Sequence, residues 1–247
     1  MKLLIYAFFM TWGMFLAVPC PLKIWDEKAR PLMMACLPLI GLIPGGLWVL
    51  AAWGLPKLGC PRGLMALILT ALPYLTTGFM HLDGFMDCCD AILSRRDLET
   101  RQKILKDSHC GAFAVICLAL LLLTQFSLFL DCGHLPLLSL GLIPVAVRSG
   151  AGLAVLTLRP LGSSQYAHMD REKNLGKLLF LALVLGVSVT LPPVFCGIRG
   201  LAPLIAAAAY GLSVWGADRN LGGMSGDISG FGLCLGELAG VAALILL

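Results

Sequence analysis

A series of long apolar segments constrains this chain more than any other feature of its sequence. Seven of them lie at residues 31–54, 63–80, 111–130, 135–157, 178–196, 201–216 and 228–247. Each comes close to the ~20 apolar residues that an α-helix needs to cross a bilayer. Since a helix satisfies its own backbone hydrogen bonds within lipid, these segments predict an all-α, polytopic integral membrane bundle of about seven transmembrane helices.

Residues 3–19 form a further apolar segment that is short for a span. We expect it either to cross the membrane or to lie in its interface, and the sequence leaves both open. The composition agrees with a membrane protein, because only 13% of the 247 residues are charged, against about 25% in soluble domains. No internal repeat divides the chain, so we expect one transmembrane domain over residues 1–247.

Basic residues predict the orientation of the bundle. If the spans alternate, the loops at 20–30, 81–110, 158–177 and 217–227 share one side of the membrane. That side carries Lys23, Lys28, Arg30, Arg95, Arg96, Arg101, Lys103, Lys106, Arg159, Arg171, Lys173, Lys177 and Arg219, whereas the other side carries Lys57, Arg62 and Arg199. By the positive-inside rule the first side is cytoplasmic. The net charge of +4 therefore reports topology and does not indicate a nucleic-acid partner.

The stretch from Thr77 to Asp90 is the strongest indication of chemistry in the chain. Asp83, Asp87 and Asp90 are spaced four and three residues apart, so a helix would place them on one face. At ~5.5 Å and an effective dielectric of ~20, each pair would repel by about 3 kcal/mol. Carboxylate oxygens suit Mg²⁺ or Mn²⁺, which commonly hold a substrate phosphate. The alternative is a helix end whose acids simply meet water.

Two further stretches on the same side could complete such a site. Asp97 is a plausible N-cap for a short helix at 98–106, close to basic residues suited to phosphate. In the second stretch, Gly222, Gly223 and Gly226 would let backbone N–H groups approach an anion, and Asp227 could add a metal oxygen. The alternatives are a merely positive-inside loop and a glycine-rich turn.

Arg148 and Glu237 lie near the middle of their apolar segments. An unpartnered charge there costs roughly 2.5 to 3.5 kcal/mol on insertion scales. We therefore expect these two residues to pair with each other or to line a polar cavity.

The motifs of this chain resemble those of the cobalamin-5'-phosphate synthase family, the adenosylcobinamide-GDP ribazoletransferases. The matching runs are T-G-F-M-H-L-D-G-F-M-D-C-C-D-A at 77–91, R-D-L-E-T-R at 96–101, K-D-S-H-C-G-A-F at 106–113 and G-G-M-S-G-D at 222–227. An early Trp25 and Arg30 also match. His109 stands where the family often has arginine, Ser225 where it has threonine, and residues 91–94 replace a glycine-richer stretch.

This resemblance implies a Mg²⁺-dependent transfer at the cytoplasmic face of a bacterial or archaeal membrane. The hydroxyl of alpha-ribazole or its 5'-phosphate would attack the phosphorus attached to the cobinamide arm of adenosylcobinamide-GDP, with release of GMP. His81 or one of the acids would act as the base. The implied metal ligands are Asp83, Asp87, Asp90 and Asp227. The implied substrate-binding residues are Arg95, Arg96, Arg101, Lys106, Asp107, Ser108, Gly222, Gly223, Ser225 and Gly226.

Two other functions remain open on the sequence alone. A CDP-alcohol phosphotransferase also uses an aspartate-rich helix with Mg²⁺, although Asp83 to Asp87 does not supply its full motif. A cation transporter would line a path through the bilayer with carboxylates, of which Glu237 alone lies deep in a span. Association into a homo-oligomer, or with other corrinoid-pathway enzymes, is likewise left open.

Overall fold

The computed structural model of the chain describes residues 2–162 and 175–247, which form a helical bundle without β-sheet. The α-helices are α1 (Lys2–Phe15), α2 (Leu37–Lys57), α3 (Arg62–Thr76), α4 (Met80–Leu93), α5 (Leu98–Ile104), α6 (Ala112–Leu130), α7 (Leu137–Thr157), α8 (Leu175–Cys196), α9 (Ala202–Leu221) and α10 (Gly226–Leu246). Two 3₁₀ helices, Arg30–Cys36 and Gly197–Leu201, precede α2 and α9. The loop expected at 158–177 falls partly outside the described residues, and Arg171 and Lys173 lie in that part.

The described helices are long and apolar enough to span a bilayer repeatedly. Five stretches meet the requirements of length and hydropathy, and a sixth is added if the bent pair α3 and α4 forms one span. One of the five, Leu175–Leu221, has 47 residues, or about 70 Å of helix against a hydrocarbon core of ~30 Å. It is divided by Gly197–Leu201 into α8 and α9, which contact each other. The prediction of an all-α, polytopic membrane bundle is confirmed.

The surface of the bundle is consistent with lipid contact. Large apolar side chains on α6, α8 and α9 are exposed, among them Leu123 at 63%, Leu183 at 65% and Leu212 at 69%. Contiguous apolar surface of this extent is unfavourable in water, because burial of apolar area drives folding by about 25 cal/mol per Å². These helices therefore form the outer wall, and α7 and α10 lie inside.

The first helix, α1, is shorter than a helix that crosses the full hydrocarbon core. α1 has 14 residues, which extend about 21 Å. It packs against the 3₁₀ helix Arg30–Cys36, and Thr11 Oγ1 donates a hydrogen bond to the carbonyl of Met33 at 3.2 Å. The predicted span 31–54 thus begins in a 3₁₀ segment and becomes α-helical only at Leu37.

A sharp bend between α3 and α4 is the main departure from the predicted spans. The two helices meet at 90°, so the expected span 63–80 ends at Thr76 and the expected loop 81–110 begins as a helix. Gly78 and Phe79 adopt positive φ angles of 59° and 64°, a left-handed conformation that ends one helix before the next begins. The turn directs α4 into the bundle, where it packs against α6 and α10.

Two buried charges, one on each inner helix, form an ion pair. Arg148 on α7 donates from Nη1 to Glu237 Oε1 on α10 at 2.7 Å, and each side chain is at most 4% exposed. The predicted pairing is confirmed. Breaking such a buried pair by removing one partner leaves an uncompensated charge, so the pair fixes α7 against α10.

Candidate active site

The start of α10 lies directly against α4, and glycines allow that approach. A Cβ atom at Gly84 would lie 2.6 Å from the Cα of Asp227, and one at Gly230 would lie 3.0 Å from the carbonyl oxygen of His81. The rings of Phe85 and Phe231 stack with centroids 5.7 Å apart. The helices therefore meet at backbone distance, which brings the acids of α4 beside Asp227.

Four carboxylates share this junction. Asp83, Asp90 and Asp227 all act electrostatically on the half-buried Asp87. Within residues 2–162 and 175–247, none of the four forms an ion pair with Lys, Arg or His. As expected from the sequence, the acids of α4 lie close together, and Asp227 joins them from α10. Like charges collected without a basic partner form a site that attracts cations.

Asp227 is held at the N-terminus of α10. Ser225 is the N-cap of this helix, and its Oγ accepts from the Ile228 N–H at 3.2 Å. The same hydroxyl lies 3.3 Å from Asp227 Oδ2, to which it donates. Ser225 therefore orients the acid as well as capping the helix, and a hydroxyl is the group that both tasks require.

Asp90 makes contacts that a sequence motif cannot reveal. Its Oδ2 accepts from the backbone N–H of Gly111 at 2.6 Å, and its Oδ1 accepts from that of Ala114 at 2.9 Å. These are free N–H groups at the start of α6, so Asp90 caps that helix from another part of the chain. Each oxygen keeps a second lone pair, and the predicted metal-ligand role of Asp90 stays a prediction.

Two cavities open at the acids. The larger one, of about 470 Å³, is bordered at its polar end by Arg30, Asp83, Lys106, Ser225, Gly226 and Asp227. The smaller one, of about 220 Å³, is bordered by Asp83, Met86, Asp87, Asp90, Ala114 and the segment Asp107–Cys110. Of the described residues, Asp83 alone borders both. It therefore stands where two bound groups would meet.

The segment after α5 supplies residues to both cavities. Lys106 borders the larger cavity, while Asp107 and Ser108 border the smaller one. Asp107 Oδ1 lies 2.6 Å from Nδ1 of His109 and accepts the His109 backbone N–H at 3.0 Å. These hydrogen bonds lower the pKa of Asp107 below its usual range. Of the predicted substrate-binding residues, Lys106, Asp107 and Ser108 therefore lie beside the acids.

Other predicted substrate-binding residues lie elsewhere. Arg101 donates from Nη1 to Asn220 Oδ1 at 2.8 Å, and Gln102 Nε2 donates to the carbonyl of Leu221 at 2.8 Å. α5 is thus fastened to the end of α9, with Asp97 as its N-cap as predicted. Arg95 and Arg96 are exposed to solvent and border neither cavity.

The predicted glycines of the second stretch shape a turn. Gly222 and Gly223 have φ angles of 83° and 154°, and a Cβ at Gly223 would lie 2.8 Å from the backbone nitrogen of Leu161. Leu161 N–H donates to the carbonyl of Met224 at 2.9 Å in an isolated bridge. Neither Gly222 nor Gly223 borders either of these two cavities, whereas Gly226 borders the larger one.

Several residues at the larger cavity were not predicted as site residues. Arg30 and Arg148 both border it, together with apolar side chains from α1, α2 and α7. Arg148 could have been found from the sequence, because it is a charge inside an apolar span. Arg30 could have been found as part of the early Trp25 and Arg30 match to the family motifs.

The donor set fits a hard divalent cation held together with its substrate. Within the described ranges, no three His, Cys, Asp or Glu side chains form a ready-made metal cage. Asp83, Asp87 and Asp227 offer oxygens, and none of them has a basic partner among the described residues. Mg²⁺ keeps several waters and is usually held by one or two carboxylates plus substrate phosphates, so these acids match its needs.

Comparison with known proteins identifies the family. The family model described as Cobalamin-5-phosphate synthase matches residues 7–245. A protein from Clostridium perfringens (strain 13 / Type A) is 41% identical over 250 residues, covering 99% of each chain. One from Clostridium botulinum (strain Alaska E43 / Type E3) is 37% identical over 246 residues, covering 98% of this chain and 97% of the relative.

A protein from Halalkalibacterium halodurans is 33% identical over 231 residues, covering 87% of this chain and 85% of the relative. All three relatives are named adenosylcobinamide-GDP ribazoletransferase. No solved structure matches the chain significantly. The matches span almost the whole length and include both motif-bearing segments, so the chain belongs to the cobalamin-5-phosphate synthase family.

Proposed function

We propose that this protein is an adenosylcobinamide-GDP ribazoletransferase of B12 nucleotide-loop assembly. The hydroxyl of alpha-ribazole or its 5'-phosphate attacks the phosphorus attached to the cobinamide arm. A ribazole oxygen–phosphorus bond forms, the bond to GMP breaks, and the product is adenosylcobalamin or its 5'-phosphate. The name of relatives with up to 41% identity over 99% of the chain supports this assignment.

One structural observation supports the proposal above all others. Asp83, Asp87 and Asp227 meet at the junction of two cavities without a basic partner among the described side chains. Two cavities that share Asp83 suit a reaction between two substrates. A transporter would instead need acids along a path through the lipid, and Glu237 is already neutralised by Arg148.

Mg²⁺ is the proposed cofactor, and it would be held by Asp83, Asp87 and Asp227. Bound there, it would supply Lewis-acid stabilisation of the charge that develops on the diphosphate. Asp90 is a weaker candidate ligand, because both its oxygens already accept backbone hydrogen bonds.

The chain's own residues position the substrates and move one proton. Lys106 and Arg30 border the larger cavity at its polar end, where their positive charges can hold non-bridging phosphate oxygens. We assign the general base to a carboxylate of this site. The proton of the ribazole hydroxyl passes to that carboxylate as the new bond forms.

The proposed site faces the cytoplasm of a bacterial membrane. This orientation is supported by the excess of Lys and Arg on the same side as the acids and by the bacterial sources of the relatives. It is tested with a variant whose only cysteine is Cys110, which is exposed beside the smaller cavity. A membrane-impermeant maleimide should label it in inside-out vesicles, and labelling only of intact cells would contradict the orientation.

The activity is tested directly with the purified protein in detergent. Adenosylcobinamide-GDP, alpha-ribazole and Mg²⁺ should give adenosylcobalamin and GMP in equal amounts, measured by chromatography and mass spectrometry. Asp83→Asn should abolish the reaction, whereas Asp131→Asn makes the same change at an exposed acid after α6 and should retain it. Lack of any transfer by the folded wild-type protein would contradict the proposed function.

A further inference from the structure

The larger cavity extends from the acids deep into the bundle. Its lining contains the acids Asp83 and Asp227, the polar residues His81 and Ser229, and apolar side chains of Met33, Leu37, Ile40, Ala151 and Leu233. Arg148 also borders it. Glu237, the partner of Arg148, lies ten residues beyond Asp227 on α10, which corresponds to about 15 Å along the helix.

Arg148 has an unused hydrogen-bond donor. Its Nη1 contacts Glu237 Oε1 at 2.7 Å and the carbonyl of Pro144 at 3.3 Å. Its Nη2 is fully buried and has no hydrogen-bond partner in the described parts of the chain, and the residue is 3% exposed. Buried donors are nearly always satisfied, so an orphaned one on a side chain that borders a cavity points to an acceptor on a ligand. Because Nη2 has almost no accessible surface in this structure, the guanidinium must shift to reach that acceptor.

We propose that this cavity binds the aromatic base of the acceptor nucleoside, and that Arg148 Nη2 donates to the base's free ring nitrogen. The inference rests on the proposed ribazole transfer. The base of alpha-ribazole is a dimethylbenzimidazole, which is apolar except for one unsubstituted ring nitrogen. A cavity with apolar walls and the unused donor of Arg148 complements that chemistry, and the ribose hydroxyl then lies toward Asp83.

The other groups of the two substrates fit this cavity less well. A corrin macrocycle with its amide side chains is much larger than about 470 Å³. Guanine carries several donors and acceptors on its edges, and Met33, Leu37, Ile40, Ala151 and Leu233 offer them no hydrogen-bond partner. Each unpaired polar group would weaken binding by about tenfold or more. The corrin and the guanine are therefore placed outside the inner cavity.

The first test narrows the cavity. Ala151 is 2% exposed and borders it, so Ala151→Leu should raise the KM for alpha-ribazole by about tenfold or more and leave the KM for adenosylcobinamide-GDP within about twofold. Ala208→Leu, the same change at an exposed position of α9, is the control. Equal effects on both KM values, or an effect on the GDP substrate alone, would overturn the proposal.

The second test addresses the donor. Titration calorimetry compares alpha-ribazole with its indole analogue, in which CH replaces the ring nitrogen. Wild-type protein should bind the analogue about tenfold more weakly. This preference should disappear when Arg148→Met is combined with Glu237→Gln, a pair of changes that avoids leaving a buried charge. A preference retained by the folded double variant, or absent from the wild type, would overturn the hydrogen bond.

The two proposals fail in different ways. If the wild-type protein transfers alpha-ribazole but Ala151→Leu leaves the ratio of the two KM values unchanged, the cavity assignment is wrong and the function stands. If the folded wild-type protein transfers nothing, the proposed function fails as well. Should the double variant not fold, the Ala151→Leu kinetics still decide the cavity assignment.

Discussion

Replacement of Gly84 by alanine tests whether the contact between α4 and α10 sets the geometry of the acids. The added Cβ would lie 2.6 Å from the Cα and 2.9 Å from the carbonyl oxygen of Asp227, whereas ordinary contact begins at 3.4 Å. Backbone cannot rotate away as a side chain can, so the helices must separate by about 0.8 Å. A misplacement near 1 Å can cost ~10²-fold in rate, while overpacking costs about 1 to 3 kcal/mol of stability.

The assay for Gly84→Ala is the rate of GMP release at saturating substrates, with thermal unfolding in the same detergent. We expect a loss of ~10²-fold in the rate and a folded protein. Gly211→Ala is the matched control, because a Cβ at Gly211 on α9 meets nothing within 4 Å. A Gly84→Ala variant with near wild-type turnover would refute the idea that this contact aligns the acids.

Three further predictions concern stability. Asp90→Ala should lower the free energy of unfolding by about 1 to 2 kcal/mol, because two N–H groups of α6 lose their acceptor; an unchanged unfolding midpoint would contradict it. Arg148→Met alone should lower the free energy of unfolding by about 3 to 5 kcal/mol, and by clearly less when it is combined with Glu237→Gln. Equilibrium denaturation measures both values. Hydrogen bonds from the Thr100 backbone and side chain lower the pKa of Asp97. Asp97→Ala should therefore speed hydrogen exchange in α5 at pH 6. Below the lowered pKa, where wild-type Asp97 is protonated, the variant and the wild type should exchange at the same rate.

The spans and the local features of the site could be predicted from the sequence. Apolar length alone locates the membrane helices. A charge inside a span must find a partner or line a polar cavity, which predicts a role of this kind for Arg148 and Glu237. Asp97 as an N-cap is also a local signal. Each of these predictions depends on an energy that acts within one segment or within the lipid.

The contacts between distant segments could not be predicted in this way. The bend at Gly78 and Phe79 depends on how α4 packs against α6 and α10, not on the turn residues alone. Spacing suggested Asp90 as a metal ligand, yet its oxygens reach the start of α6 more than twenty residues later. Arg101 looked suited to phosphate, but its partner is Asn220 on a helix far along the chain.

The acids at the start of α4 and α10 are central to this account, and Mn²⁺ binding tests them most directly. Mn²⁺ substitutes for Mg²⁺ at oxygen sites and is visible by electron paramagnetic resonance. We predict that purified wild-type protein binds Mn²⁺, that adenosylcobinamide-GDP tightens the binding, and that Asp83→Asn and Asp87→Asn each lose it while Asp131→Asn does not. Equal Mn²⁺ binding by all four proteins, with or without the substrate, would contradict the account.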